Sequence, residues 1–139
     1  MTTATRPAAP LGRAATVTGR VLTVLVALFL AFDCVTKLLQ LPSVVDATVQ
    51  MGFTASTVPI IGATLLGCLV LYLVPRTSLL GAVLLTGYLG GAVCSQLRID
   101  APLLSTMLSA VYVGTIAWVA LYLRSAQLRR IVGELVTGR

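Results

Sequence analysis

Leu79-Leu80-Gly81-Ala82-Val83-Leu84-Leu85-Thr86-Gly87-Tyr88-Leu89-Gly90-Gly91-Ala92-Val93-Cys94-Ser95-Gln96-Leu97-Arg98 is the stretch whose reading decides the fold. It is apolar for almost its whole length, repeatedly interrupted by glycine, and polar only at its end. Glycine weakens a helix in water, but in a bilayer it lets neighbouring helices approach closely. Gly87 and Gly91 form a small-xxx-small pair. The stretch therefore reads as the most tightly packed helix of a small membrane bundle.

The composition of the whole chain agrees. Of its 139 residues 58% are hydrophobic and 10% charged, and the mean hydropathy is +1.00. A soluble domain carries about a quarter charged residues. One of this size has too little interior to hide so much apolar side chain. A single membrane domain is the class that fits. The net charge of +6 would suit nucleic acid, but the basic residues flank the apolar runs, as membrane topology requires, so no nucleic-acid partner is expected. Cys34, Cys68 and Cys94 are odd in number and contain no C-x-x-C pair, which argues for apolar packing residues over a disulfide framework.

Working outward, residues 1–18 are rich in Ala, Thr and Pro and read as a loose tail. A basic start before an apolar run resembles a signal peptide, but no small-x-small cleavage site follows Phe32-Asp33-Cys34. The first span is thus retained and covers about 19–39. Ser43 and Asp46 resemble a capping box, and Gly52 a stop, for a short helix lying on the membrane surface. The second span covers 56–74 and carries Ala63 and Gly67 as a further small-xxx-small pair. Pro75-Arg76-Thr77 then forces an antiparallel hairpin into the third span, 79–97. Asp100-Ala101-Pro102 turns the chain into the fourth, 103–123. Beyond it, Leu128, Ile131, Val132 and Leu135 recur at helical spacing in a basic segment, 124–139, suited to a membrane surface.

The fold class is therefore all-α, a four-helix transmembrane bundle with short surface helices after spans one and four. Four spans put both termini on one side with Arg6, Arg13, Arg20, Arg76, Arg124, Arg129, Arg130 and Arg139, against Lys37 and Arg98 on the other. The excess of basic residues places the termini in the cytoplasm of a multi-pass cell-membrane protein.

Few residues offer chemistry. Asp33 lies past the midplane, where an ionised carboxylate costs at least ~2.5 kcal/mol and must face protein or water. Asp33, Thr36, Lys37 and Gln40 form one polar stripe, and Asp33–Lys37 is a permitted i, i+4 pair. Gln96 and Arg98 arrive at the same level, and Arg98 is a second candidate partner for Asp33. Tyr72 and Tyr122 fall where interfacial aromatics belong. Tyr88 and Tyr112 fall mid-span, so each hydroxyl needs a partner inside the bundle, and Ser105, Ser109 and Tyr112 share a face. Histidine is absent and the spans hold no carboxylate cluster, so no metal or haem ligands are evident.

Phe32-Asp33-Cys34-Val35-Thr36-Lys37-Leu38-Leu39 and the glycine pattern from Leu80 to Val93 resemble the DoxX-like family of small membrane proteins. So do Tyr72-Leu73-Val74-Pro75-Arg76-Thr77 and Trp118 with Leu121-Tyr122-Leu123-Arg124. The resemblance spans about residues 20–130. It implies four helices and a link to small subunits of quinone-dependent or redox-stress membrane complexes. It also implies a histidine close to where this chain has Gln96, which can neither titrate nor readily bind metal.

The expected function is an accessory subunit, not an enzyme by itself. It would bind a lipophilic ligand, a quinone being the leading candidate cofactor, or a redox partner, in an outer-half cavity. Asp33, Lys37, Tyr88, Gln96, Arg98 and Tyr112 would line that cavity. Ala63, Gly67, Gly87 and Gly91 would pack the helices. Partners would be the lipid bilayer and other membrane redox proteins or a second copy. The alternative is a purely structural or assembly protein without a ligand.

Overall fold

The computed structural model describes residues 12–102 and 108–138, and every regular element among them is helical. In chain order these are α1 (Arg13–Leu38), α2 (Pro42–Gln50), α3 (Val58–Leu73, entered by a 3-10 turn at Ala55–Thr57), α4 (Ser78–Arg98), α5 (Leu108–Arg124) and α6 (Ala126–Thr137). Among the described residues, three stretches are each long and apolar enough to cross a membrane: Arg13–Leu38, Ala55–Leu73 and Ser78–Arg98. Helices α5 and α6 meet that test only together, and they are bent by 100° at Ser125.

The bounds of α3 and α4 follow from punctuation in the chain. Pro59 sits in the first turn of α3, where its missing N–H costs nothing, and Pro75-Arg76-Thr77 separates α3 from α4. Two other expectations need correction. Helix α1 begins at Arg13, so residues 13–18 are helical and not a loose tail, while residues 1–11 lie outside the described residues. Helix α2 exists, but its N-cap is Leu41 with Pro42 following, and no side chain caps it. Ser43 and Asp46 thus lie inside the helix and form no capping box. Residues 103–107 of the expected fourth span, with Ser105, also lie outside the described residues.

Helices α1, α2 and α4 all end in the same way. The residue after the cap turns left-handed, and the two following N–H groups reach back to the last carbonyls: Gln40 and Leu41 to Lys37 and Thr36, Gly52 and Phe53 to Val49 and Thr48, Asp100 and Ala101 to Leu97 and Gln96. Only one of these three left-handed positions is a glycine, Gly52. Gln40 and Asp100 carry the strain of a side chain there.

The long helices pack as a ring in which α1 touches α3 and α5, α4 touches the same two, and α1 and α4 stand on a diagonal. One glycine serves each seam. A Cβ on Gly19 would lie 2.7 Å from Leu123 Cβ, one on Gly62 would lie 3.0 Å from Lys37 Cβ, and one on Gly114 would lie 3.3 Å from Leu89 Cδ1. Gly81 is tightest, its Cβ position only 2.2 Å from the backbone nitrogen of Tyr72. The small residues expected to do this work do not. No described atom lies within 4 Å of a Cβ built on Gly67, Gly87 or Gly91, and Ala63 is exposed. The pairs Ala63/Gly67 and Gly87/Gly91 therefore make no helix contact among the described residues.

The end of the ring where α1 begins and α5 ends is solid. Tyr72 is fully buried, and its hydroxyl donates to Ala117 O at 2.8 Å, joining α3 to α5. Tyr72 is thus a core residue and not the interfacial aromatic its position suggested. The Arg124 guanidinium lies 4.9 Å from the Tyr72 ring centroid and donates to Tyr72 O at 2.7 Å. It thereby satisfies one of the open carbonyls at the end of α3. Leu65, Cys68, Leu69, Leu85 and Leu121 fill the space around this knot. Trp118 Nε1 donates to Thr86 Oγ1 at 2.8 Å and ties α5 to α4.

Tyr72→Phe removes one buried donor and leaves Ala117 O without it. The expected cost is about 1–2 kcal/mol, read as a lower thermal midpoint of the detergent-purified protein. An unchanged midpoint would mean that the ring, and not the hydroxyl, holds this end.

Helix α6 starts at Ser125, whose hydroxyl accepts the Leu128 N–H at 3.2 Å. Arg129 folds back and donates to the Tyr122 and Leu123 carbonyls, closing the end of α5. Leu128 enters the core and Val132 packs against it, while Leu135 and Val136 remain exposed. The apolar stripe read from the sequence is thus split between the core and the surface.

Candidate functional site

At the opposite end of the ring, α1 and α4 stand apart and leave a cavity of about 450 Å³. This is within the usual range for small-molecule sites. Four elements besides α4 contribute to its walls, because the diagonal gap is enclosed by α3 and α5 and covered by α2.

From α1 come Phe29, Leu30, Asp33 and Lys37, one face at helical spacing. Lys37 Nζ donates to Asp33 Oδ1 at 2.5 Å. The pair needs no second helix and fixes both side chains over one turn. Lys37 is the more enclosed of the two, its side chain 15% exposed against 37% for Asp33. Between them and the ring, the Cys34 thiol donates to Gly62 O at 3.2 Å, holding α1 against α3.

From α4 come Gly87, Tyr88, Leu89, Gly91, Ala92, Ser95 and Gln96. The glycines that pack nothing are therefore wall residues, and their missing side chains leave the hollow. Ser95 Oγ is committed to Gly91 O at 2.9 Å. The side chains of Tyr88 and Gln96 line the cavity and make no hydrogen bond among the described residues.

The α2 segment closes the top through Thr48, Met51 and Phe53, and Ile61, Ser109, Ala110 and Val113 complete the sides. Thr48 is buried and bonds its own helix at Val44 O. The spacing of Val44, Val45, Thr48 and Val49 marks α2 as a helix with an apolar face. It carries no sign that this face folds over the mouth of a cavity, so Thr48, Met51 and Phe53 escaped the sequence reading. Phe29 escaped because one more phenylalanine in an apolar span has no signature.

The polarity is graded along the cavity. Asp33, Lys37, Thr48, Ser95 and Gln96 gather at the α2 end, and Phe29, Leu30, Gly87, Leu89 and Val113 line the deeper part. Such a shape suits a molecule with a polar head and an apolar body.

Of the six residues expected to bind a ligand, Asp33, Lys37, Tyr88 and Gln96 share this cavity. The other two do not line it. Arg98 is exposed, its guanidinium beside Gly52 and 3.5 Å from where a side chain there would begin. Tyr112 is 56% exposed and does not line the cavity. Asp33 has its partner in Lys37, not in Arg98.

The family model described as the DoxX-like family matches residues 21–120. The chain belongs to the DoxX-like family. Its apolar helices and this membership make it a multi-pass membrane protein. Searches of curated proteins and of solved structures gave no significant match. All the cavity-lining residues of this DoxX-like protein, from Phe29 to Val113, fall inside the matched range, and α6 falls outside it. The family region thus contains the hollow part of the molecule and the Tyr72–Ala117 bond of the knot, while Leu121 and Arg124 lie just beyond it.

Proposed function

We propose that the protein is an accessory membrane subunit that binds a lipophilic small molecule of the quinone class in the cavity between α1 and α4. The observation that carries this reading is the grading of one cavity from a charged and hydrogen-bonding end to an apolar end. Ring carbonyls need donors and a hydrocarbon tail needs apolar walls. Lys37 Nζ and the Gln96 amide are donors at the polar end, Tyr88 offers a hydroxyl two turns deeper on α4, and Phe29, Leu30 and Val113 are apolar walls. A bound quinone supplies two-electron redox chemistry. The chain's own residues orient its carbonyl oxygens and limit the access of water, with α2 as the cover.

In this reading α5 is the fourth span and both termini are cytoplasmic. Gly19 of α1 abuts Leu123 of α5, which supports a common end for the two termini. The arginine excess at that end supports its cytoplasmic placement. The sharp bend into α6, with Arg130, Leu135 and Val136 exposed, suits a helix lying among lipid headgroups. A redox enzyme of the same membrane, or a second copy of the chain, would be the protein partner.

The test is an organic extract of the purified protein examined by mass spectrometry. A quinone in near-equimolar amount is expected in the wild-type extract and not in that of Asp33→Ala, with both proteins folded. Equal retention by Asp33→Ala would sink the site. The competing structural reading draws on the closed Asp33–Lys37 pair. It predicts no co-purified ligand, and Asp33→Asn would change only the thermal midpoint.

A further inference from the structure

The polar end of the cavity is built from α1, α2 and α4, and its hydrogen-bonding atoms are already partly used. Thr48 Oγ1 gives its hydrogen to Val44 O at 2.7 Å, and Ser95 Oγ gives its hydrogen to Gly91 O at 2.9 Å. Each carbonyl belongs to the residue's own helix, so only lone pairs of the two hydroxyls are left for a ligand. An ionised Asp33 can only accept. Its Oδ1 takes Lys37 Nζ, and its Oδ2 makes no hydrogen bond among the described residues. Acceptors from three helices therefore line one end of one cavity. The donors there are the remaining hydrogens of the Lys37 ammonium and the Gln96 amide, which also carries an acceptor oxygen.

We infer that this end recognises a head group with an O–H of its own, so that within the quinone class the site selects the reduced form, the quinol, and Asp33 tells the two forms apart. This inference rests on the reading of the cavity as a lipophile site and adds the redox state of the occupant. A quinol hydroxyl can donate to Asp33 Oδ2 while it accepts from Lys37 Nζ, two groups already held side by side. A quinone carbonyl can use only the lysine. Its lone pairs would face those of the carboxylate, which would lose water on that side without gaining a hydrogen bond. Thr48 and Ser95 add to the same bias, since they too can serve only a donor. Gln96 serves either form and does not discriminate.

The test compares decylbenzoquinone with decylbenzoquinol, the latter kept reduced under argon, on the full-length protein in nanodiscs. After subtraction of partition into empty nanodiscs, the wild type is expected to bind the quinol about ten-fold more tightly or better, as a hydrogen bond to a charged group provides. In Asp33→Asn the ratio of affinities should fall close to one, because an amide donates to a carbonyl as readily as it accepts from a hydroxyl. Equal affinities in the wild type, or a preference that survives Asp33→Asn, overturn the selection while the cavity reading stands. Failure of the wild type to bind either probe overturns the cavity reading and the selection with it. A redox titration of the probe on the wild type decides the matter should Asp33→Asn fold poorly. Tighter binding of the reduced form raises the midpoint potential of the bound two-electron couple, by about 30 mV for each ten-fold of preference. A midpoint equal to that of the probe in empty nanodiscs, or below it, overturns the selection.

Discussion

Gly81→Ala is expected to destabilise the protein by about 3 kcal/mol or more, at or beyond the upper end of ordinary overpacking. The reason is geometric. The added methyl would meet Tyr72 N at 2.2 Å and Tyr72 Cα at 2.4 Å, which are backbone atoms and cannot swing aside. Relief requires α4 to withdraw from α3. That movement would also pull on the Tyr72 hydroxyl bond to Ala117 and the Arg124 contacts, since all three converge on Tyr72. The informative control is Gly87→Ala, where the new methyl enters open space. Removing a glycine from a helix interior is there worth up to about 1 kcal/mol in the favourable direction. Scanning fluorimetry of the two variants in detergent should give shifts of opposite sign. Similar shifts would mean that α4 makes contacts around Gly87 that the fold described above lacks.

Lys37→Met is expected to have the largest effect on ligand binding, a loss of more than ten-fold for any quinone-class probe. It deletes the cationic donor and leaves Asp33 facing the polar end of the cavity without its partner. A carboxylate that loses its counter-charge in an apolar setting is destabilising, here by about 1–3 kcal/mol, since Asp33 retains some exposure. The double variant Lys37→Met/Asp33→Asn separates the two effects. Stability should return most of the way, because the amide carries no charge, whereas binding should not return. Recovery of binding in the double variant would assign the head-group contact to Gln96 or Tyr88 and reduce Lys37 to a partner for Asp33.

Much of the fold is legible in the sequence because membrane helices are cut by strong signals. Pro75, Pro102 and the charges beside them place the ends of α3 and α4 within a residue or two. The start of α1 was less legible, since Arg13, Thr16 and Thr18 interrupt the apolar pattern while Ala14 and Ala15 favour a helix and threonine tolerates one. The site is legible where a polar residue interrupts an apolar stretch on the correct face, as for Asp33, Lys37, Tyr88 and Gln96. Arg98 and Tyr112 interrupt apolar stretches equally well. Their placement depends on how α4 ends and how α5 is rotated, and neither follows from the local sequence.

The glycines are the instructive failure. Pairs such as Gly87 and Gly91 draw the eye, but which glycine meets a neighbour depends on that neighbour's position. The four seams use single glycines at 19, 62, 81 and 114. The conspicuous pair lines the hollow instead. Small residues in a membrane helix thus have two opposite uses, close approach and deliberate emptiness, and sequence spacing does not separate them.

Helix α1 has 26 residues, and at ~1.5 Å per residue it spans ~39 Å, more than the ~30 Å of a typical hydrocarbon core. Near its Arg13 end Gly19 clasps Leu123 and Arg124 at the level of the turn into α6. The clasp restricts independent tilting of α1, so a thickness mismatch cannot be absorbed by that helix alone. In a thicker bilayer the first turns of α1 would sink into hydrocarbon and draw Arg13 and Arg20 toward it. In a thinner one they would stand clear as a short mast. The same clasp that closes a packing seam thereby makes bilayer thickness a variable felt by the whole molecule, and an influence on which membrane it comes to occupy.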